Sequence, residues 1–224
     1  MSTLKLVVFD CDGTLVDSQH MIMKAMDMAF SEKSMVSPSL EEVRRIVGLS
    51  LFHAVGKLYP DGSDKEVEVL VDGYRRAFHQ LRKTENHEPL YDGTVEALDA
   101  LANAGYIMGV ATGKSKRGLV NTLAQHEISH HFVTLQTADD HPSKPHPQML
   151  ETAIREAGVL PEHTILIGDT SYDMGMAKNA GVIGLGVSWG YHPSCELTEH
   201  GAKAIANTYE DVPGLISQLF EKRG

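Results

Sequence analysis

The sequence predicts an α/β fold: a Rossmann-like parallel sheet between two layers of helices, interrupted near its start by an all-helical segment. Three observations carry this expectation. Leu6, Val7, Val8 and Phe9 form a short β-branched and aromatic run, the composition of a strand buried on both faces. From residue 19 to residue 81 the apolar residues recur only at helical spacing. Beyond residue 93, short apolar runs alternate with helix-period segments, the pattern of parallel strands joined by right-handed crossovers.

In chain order, Gln19 to Phe30 reads as a helix through Ile22, Met26 and Ala29 or Phe30. Ser37 and Pro38 read as the N-cap and first turn of a second helix, which continues through Leu40, Val43, Ile46 and Val47 to Gly48. Leu51, Val55 and Leu58 mark a third, and the stripe from Val67 to Leu81 a long fourth. The turn-rich Glu88 to Gly93 breaks the helical pattern, so residues 18–89 read as a small helical domain inserted into a core made of 1–17 and 90–224. The core continues with a helix at Thr94 to Ala104, a strand at Ile107 to Ala111 and a helix through Leu119 and Leu123. A strand at Phe132 to Leu135, a helix at Pro147 to Ala157 and a strand at Thr164 to Ile167 follow. A helix at Tyr172 to Ala180, strands at Val182 to Val187 and near Ala204, and a helix at Tyr209 to Phe220 complete it.

At 224 residues, with 42% hydrophobic and 22% charged residues, the chain has the length and composition of a soluble globular protein with a sizeable core. Its formal net charge of -10 argues against nucleic-acid binding, which rests on clustered Lys and Arg. No apolar stretch is long enough to span a membrane, and the N-terminal apolar run is too short for a signal peptide. The two cysteines, Cys11 and Cys195, read as reduced thiols of a cytoplasmic protein. Of the twelve histidines, His130, His131, His141 and His146 match no structural-zinc spacing and read as surface or loop residues. Met21, Met23, Met26 and Met28 read as helix packing.

Function is written at the strand ends. Asp10 and Asp12 follow the first strand at once, with Gly13 to turn the backbone; in an open α/β sheet this is where ligands bind. Two anions at the end of a buried strand are costly without a compensating cation, and a hard one such as Mg²⁺ suits an all-oxygen site. An EF-hand loop starting at Asp10 would need Glu at its twelfth position, which is Met21. Thr112 and Gly113 end the second strand and open a helix, offering a hydroxyl and an amide to phosphate oxygens; Lys114 reads as an exposed charge. Lys144 sits in the rigid S-K-P-H-P segment, able to hold a point charge over a phosphate. Asp169 and Asp173 follow the strand at Thr164 to Ile167 and can face one site if a helix begins between them; Asp169 capping that helix, with Asp173 in its first turn, is compatible with this.

D-C-D-G-T-L-V-D-S resembles the first motif, D-x-D-G-T-[LV]-x-D-S, of the haloacid dehalogenase-like hydrolases, most of which are phosphatases. The resemblance extends to the second motif at Thr112, to K-P-x-P at Lys144 and to G-D-x-x-x-D at Asp169 and Asp173, in the family's order. It implies that Asp10 is the nucleophile and Asp12 the general acid and then base. It also implies that Asp169 ligates Mg²⁺ directly and Asp173 directly or through water, so Asp10, Asp12, Asp169 and Asp173 make up the metal site. The helical segment corresponds to a cap that closes over the site, with Arg44, Arg45 and Gly48 as candidates for closure or for a substrate carboxylate.

The overall look is closest to phosphoglycolate phosphatase-like members. The expected activity is Mg²⁺-dependent hydrolysis of a small-molecule phosphate ester through an aspartyl-phosphate. The rival readings are a phosphomutase of the β-phosphoglucomutase kind and a non-catalytic phosphate-binding protein on the same fold.

Overall fold

Four consecutive fully buried residues, Leu6–Phe9, form β1 at the centre of a parallel six-stranded sheet. A computed structural model describes residues 4–85 and 88–222; residues 1–3, 86, 87, 223 and 224 of the expected domain ranges lie outside the described residues. The other strands are β2 (Ile107–Thr112), β3 (Phe132–Thr137), β4 (Thr164–Gly168), β5 (Ile183–Val187) and β6 (Ala202–Ala206), in the spatial order β3-β2-β1-β4-β5-β6. Every neighbouring pair is parallel.

The helices are α1 (Gln19–Glu32), α2 (Leu40–Ile46), α3 (Leu51–Leu58), α4 (Asp64–Thr84), α5 (Thr94–Asn103), α6 (Lys116–Gln125), α7 (Gln148–Ala157), α8 (Ser171–Asn179), α9 (Ser194–Glu199) and α10 (Asp211–Glu221). Strand alternation sorts β1 between the two helical layers. Val7 and Phe9 pack with Leu98, Leu119 and Ile216 on one face, and Leu6 and Val8 with Met149, Ile154 and Met176 on the other. Burying each such side chain contributes about 1.5–3 kcal/mol, so β1 anchors both layers. Strand order reverses at β1, between β2 and β4, and this switch point opens a crevice at the strands' carboxyl ends.

Helices α1 to α4 lie between β1 and α5 in the chain and share their own apolar clusters: Ile22, Met26, Phe30, Val55 and Leu70 in one, Met21, Ala25, Ala77 and Leu81 in the other. Met23 and Met28 pack against these clusters, as expected of helix-packing methionines. The segments that enter and leave this helical insert run side by side, with Asp17 N–H donating to the Pro89 carbonyl at 2.8 Å and Tyr91 N–H to that of Leu15 at 3.1 Å.

Several local expectations are corrected. The second helix starts at Leu40, because Ser39 and Glu42 form a capping box that satisfies two otherwise unpaired amides; Ser37 bonds Asp27 instead. Thr170, not Asp169, caps α8, again in a capping box with Asp173 at its third position. The six-residue α9 is an element the sequence reading lacks, too short to show a helical period. His131 is buried rather than on the surface. Among the described residues, no helix is long and apolar enough to cross a membrane.

Candidate active site

The Asp10 amide continues the sheet, donating to the Ile167 carbonyl of β4 at 2.9 Å, so its side chain is set at the carboxyl edge of two buried strands. The loop that follows folds back through Leu15 N–H to the Cys11 carbonyl, and Gly13 turns it at φ +83. A Cβ at Gly13 would run into the side chains of Asp169 and Tyr191, so glycine is what lets the loop close on the carboxylate behind it. Tyr209 and Trp189 both donate to the Thr14 carbonyl, at 2.7 and 3.2 Å, and pin the loop from the core side.

Three carboxylates converge here. Asp10, Asp169 and Asp173 are fully buried and place oxygens within 4.8 Å of one another. Asp169 accepts from the Thr14 hydroxyl and the Tyr191 amide, each at 2.9 Å. Asp173 accepts from Lys144 at 2.7 Å through one oxygen and from the Thr170 hydroxyl at 2.6 Å through the other. Lys144, also wholly buried, reaches Asp10 Oδ1 at 2.9 Å. Burial pushes the Asp10 carboxyl up to about 7; Lys144 opposes the rise and the Asp173 charge adds to it. Burial, then the charges of Asp173 and Asp10, raises Asp169 well above the carboxylate range. Burial alone would lower the Lys144 ammonium, but Asp10 and Asp173 hold it raised and charged.

Among the described residues one ammonium serves three buried carboxylates, so ionising all three leaves a negative excess that burial makes costly. Asp10 Oδ2 is buried and has no hydrogen-bond partner among the described residues. An acceptor without a donor beside two further carboxylates fits a hard divalent cation, and Asp10, Asp169 and Asp173 are the residues that could hold it. Asp12 does not join that cluster: its carboxylate takes the Lys114 ammonium at 2.6 Å and the Ser18 hydroxyl. Any side-chain coordination by Asp12 would have to compete with Lys114. Cys11 lies between the two aspartates with its thiol pushed up, chiefly by burial and then by Asp12, which keeps it protonated and a poor nucleophile.

Thr112 is buried at the end of β2, its hydroxyl accepting from the Lys114 amide at 3.2 Å, and Gly113 opens the turn into α6. Lys114 corrects the expectation of an exposed charge. Its side chain is 8% exposed and bridges Asp12 to Glu88, the latter at 2.9 Å. Glu88 in turn accepts two bonds from Arg82 of α4. Neither Glu88 nor Arg82 stands out in the sequence, because their partners come from distant segments and no local spacing marks them.

The helical insert meets the site through the loop after α2. Gly48 turns this loop at φ +93, and a Cβ there would meet the Thr170 hydroxyl at 3.0 Å. The Gly48 and Leu49 carbonyls lie against Gly113 so closely that no side chain fits between them. Ser50 N–H donates to Ser143 Oγ at 2.8 Å, next to Lys144. Arg44 donates to the Gly190 carbonyl at 3.1 Å and Arg45 pairs with Glu196, so they tie the insert to the loop after β5 and to α9 and line a separate cleft with Tyr191 and His192. Of the three candidates, only Gly48 borders the carboxylate site. A cavity of about 520 Å³ above the site is lined at its base by Asp10, Asp12, Thr112 and Gly113, and by the insert above.

Known proteins resemble this chain along most of its length. A family model described as haloacid dehalogenase-like hydrolase matches residues 7–187. The chain is 32% identical over 219 residues to "Probable phosphatase IndB" of Dickeya dadantii, covering 96% of this chain and 95% of that one. It is 31% identical over 230 residues to "Phosphoglycolate phosphatase" of Vibrio parahaemolyticus, covering 97% and 95%. Among solved structures, that of "a predicted phosphatase from Clostridium acetobutylicum" superposes with a TM-score of 0.84 at 25% identity, over 98% of this chain and all of that one.

Proposed function

The chain belongs to the haloacid dehalogenase-like hydrolases, and from that premise we propose that it is a Mg²⁺-dependent phosphomonoester hydrolase acting on a small phosphorylated metabolite through an aspartyl-phosphate at Asp10. The observation that carries this reading is Asp10 itself: one oxygen is fixed by Lys144 and the Cys11 amide, the other is buried and unpartnered among the described residues, and the residue lines the cavity. The names of the relatives, phosphatases in both cases, support it.

In this reading the substrate phosphoryl group sits against the Thr112 hydroxyl, the Gly113 amide and Lys144, which offset its charge. Asp10 attacks phosphorus; a bond forms from its carboxylate oxygen, and the bond to the ester oxygen breaks. Asp12 gives a proton to that departing oxygen, then takes one from the water that attacks phosphorus and frees Asp10. A Mg²⁺ ion held by Asp10, Asp169 and Asp173 would supply charge neutralisation for both displacements. Lys114 keeps the Asp12 carboxylate turned toward the cavity. Residues 18–89 serve as the cap over a core of 1–17 and 90–224, shielding the site from bulk water while admitting the single molecule that hydrolyses the acyl phosphate. The unpaired thiols Cys11 and Cys195 suit a cytoplasmic setting.

The test is phosphate release from a panel of small phosphoesters, with and without Mg²⁺, comparing wild type with Asp10→Asn. Metal-dependent release that disappears in the variant is expected. Substantial Mg²⁺-dependent release by Asp10→Asn would remove the mechanism, and turnover that required a bisphosphate activator would point to a mutase instead.

A further inference from the structure

Building on the phosphatase reading, we infer that the alcohol part of the substrate carries an aromatic or heteroaromatic ring, and that short phosphorylated acids are poor substrates. The first reason is size. A cavity of about 520 Å³ lies in the range of about 300–1,000 Å³ that encloses ligands far larger than a phosphoryl group on a two-carbon acid.

The second reason is the character of the walls. Above the polar base, the cavity is faced by Met26 of α1, Phe52 of α3, and Tyr74 and Phe78 of α4. Tyr74 and Phe78 stand 5.6 Å apart with their planes 32° from parallel, and the Lys114 ammonium and Arg82 guanidinium approach Phe78 at 5.5 and 5.7 Å. Phe78 is therefore a fixed ring, a ready partner for another. Phe52 keeps 39% of its surface exposed although it lines the cavity, apolar area that a ring-bearing substrate would cover.

The third reason is what the cations already hold. A substrate carboxylate next to the phosphoryl group needs a free cation, because burying it unpaired is costly. Lys144 is shared by Asp10 and Asp173, Lys114 by Asp12 and Glu88, and Arg82 is doubly bonded to Glu88. Arg44 and Arg45 lie outside the cavity. The cavity's other arginines, Arg75 and Arg117, are exposed, so a group that paired with them would stay solvated and not be buried beside the phosphoryl group.

The test compares 2-phenylethyl phosphate with ethyl phosphate, whose ester oxygens are similar leaving groups, and both with 2-phosphoglycolate, at saturating Mg²⁺. In the wild type, kcat/KM for the phenylethyl ester is expected to exceed that for ethyl phosphate by at least about tenfold, within the range of about 10–200-fold that even one methylene commands in an apolar pocket. Phe78→Leu, which keeps apolar bulk without a ring, brings the ratio down toward one. A wild-type ratio of one or less, faster turnover of 2-phosphoglycolate than of the ring ester, or an unchanged ratio in a folded Phe78→Leu overturns the ring inference while leaving the phosphatase intact. Release from none of the three esters removes the phosphatase reading, and this inference with it.

Discussion

The ammonium of Lys114 lies 2.6 Å from Asp12 Oδ1, in a side chain that is 8% exposed. Glu88 on its other side and Arg82 beyond Glu88 complete a run of alternating charges drawn from the aspartate loop, the turn before α6, the segment leaving the insert and the end of α4. A buried run of this kind is costly to break, because removing one member strands the others: about 3–5 kcal/mol where burial is complete. Lys114→Met is therefore expected to lower the stability measured by urea unfolding by about 3 kcal/mol. It should also cut phosphate release at least about 100-fold, since Asp12 loses the partner that aims it. Wild-type kcat in this variant would show that Asp12 needs no such support.

How much of this was legible in the sequence depends on the range of the contact. Asp10, Thr112 and Asp169 each stand where an apolar run ends, so a strand-end reading finds them without knowing the fold. Lys144 is marked by the prolines around it. Lys114 carries no such mark: its partners are 102 and 26 residues away, and a lysine two residues beyond a strand reads as solvated until the chain is folded. The same holds for Arg44 and Arg45, whose acceptors, Gly190 and Glu196, come from the far end of the core. Boundaries slipped where two caps compete, as at Ser37 and Ser39, because only a side chain three residues on decides which serine is used.

Gly113 offers a test of the contact between the insert and the site. A Cβ there would stand 2.7 Å from the Gly48 carbonyl oxygen, backbone that cannot rotate away. Gly113→Ala should displace the Gly48–Ser50 loop from the site at a cost of about 1–3 kcal/mol, the usual penalty for overpacking. The expected signature is a lowered kcat/KM with the core still folded by circular dichroism. Unchanged kinetics would mean that this loop contact plays no part in turnover.

Lys144→Met removes the cation that Asp10 and Asp173 share. Phosphate release should fall by about 100-fold or more, as for loss of a preorganised charge at a transition state. Lys144 also holds the Asp10 carboxyl down against burial, so its loss raises that pKa further and favours a protonated, non-nucleophilic Asp10. Partial recovery of the variant's rate at higher pH is the accompanying expectation, read from its pH profile against that of wild type.

The carboxylate cluster also makes a prediction about pH and metal together. Burial, opposed by Lys144, raises the folded Asp10 from 3.8 to about 7, and Asp169 is raised as well. An acid whose folded pKa is raised contributes stability that is fully present below its unfolded value and is lost as pH climbs to the folded value. Without a divalent cation, these groups should therefore contribute progressively less to stability between about pH 4 and pH 7. Cation binding requires the deprotonated carboxylates and expels their protons, so its benefit grows over the same interval and beyond. At one fixed Mg²⁺ concentration, the rise in Tm over the metal-free protein is expected to be larger at pH 8 than at pH 5, and to shrink at both in Asp169→Asn. An increment that is equal or greater at pH 5 would mean that Mg²⁺ binds somewhere other than at Asp10, Asp169 and Asp173.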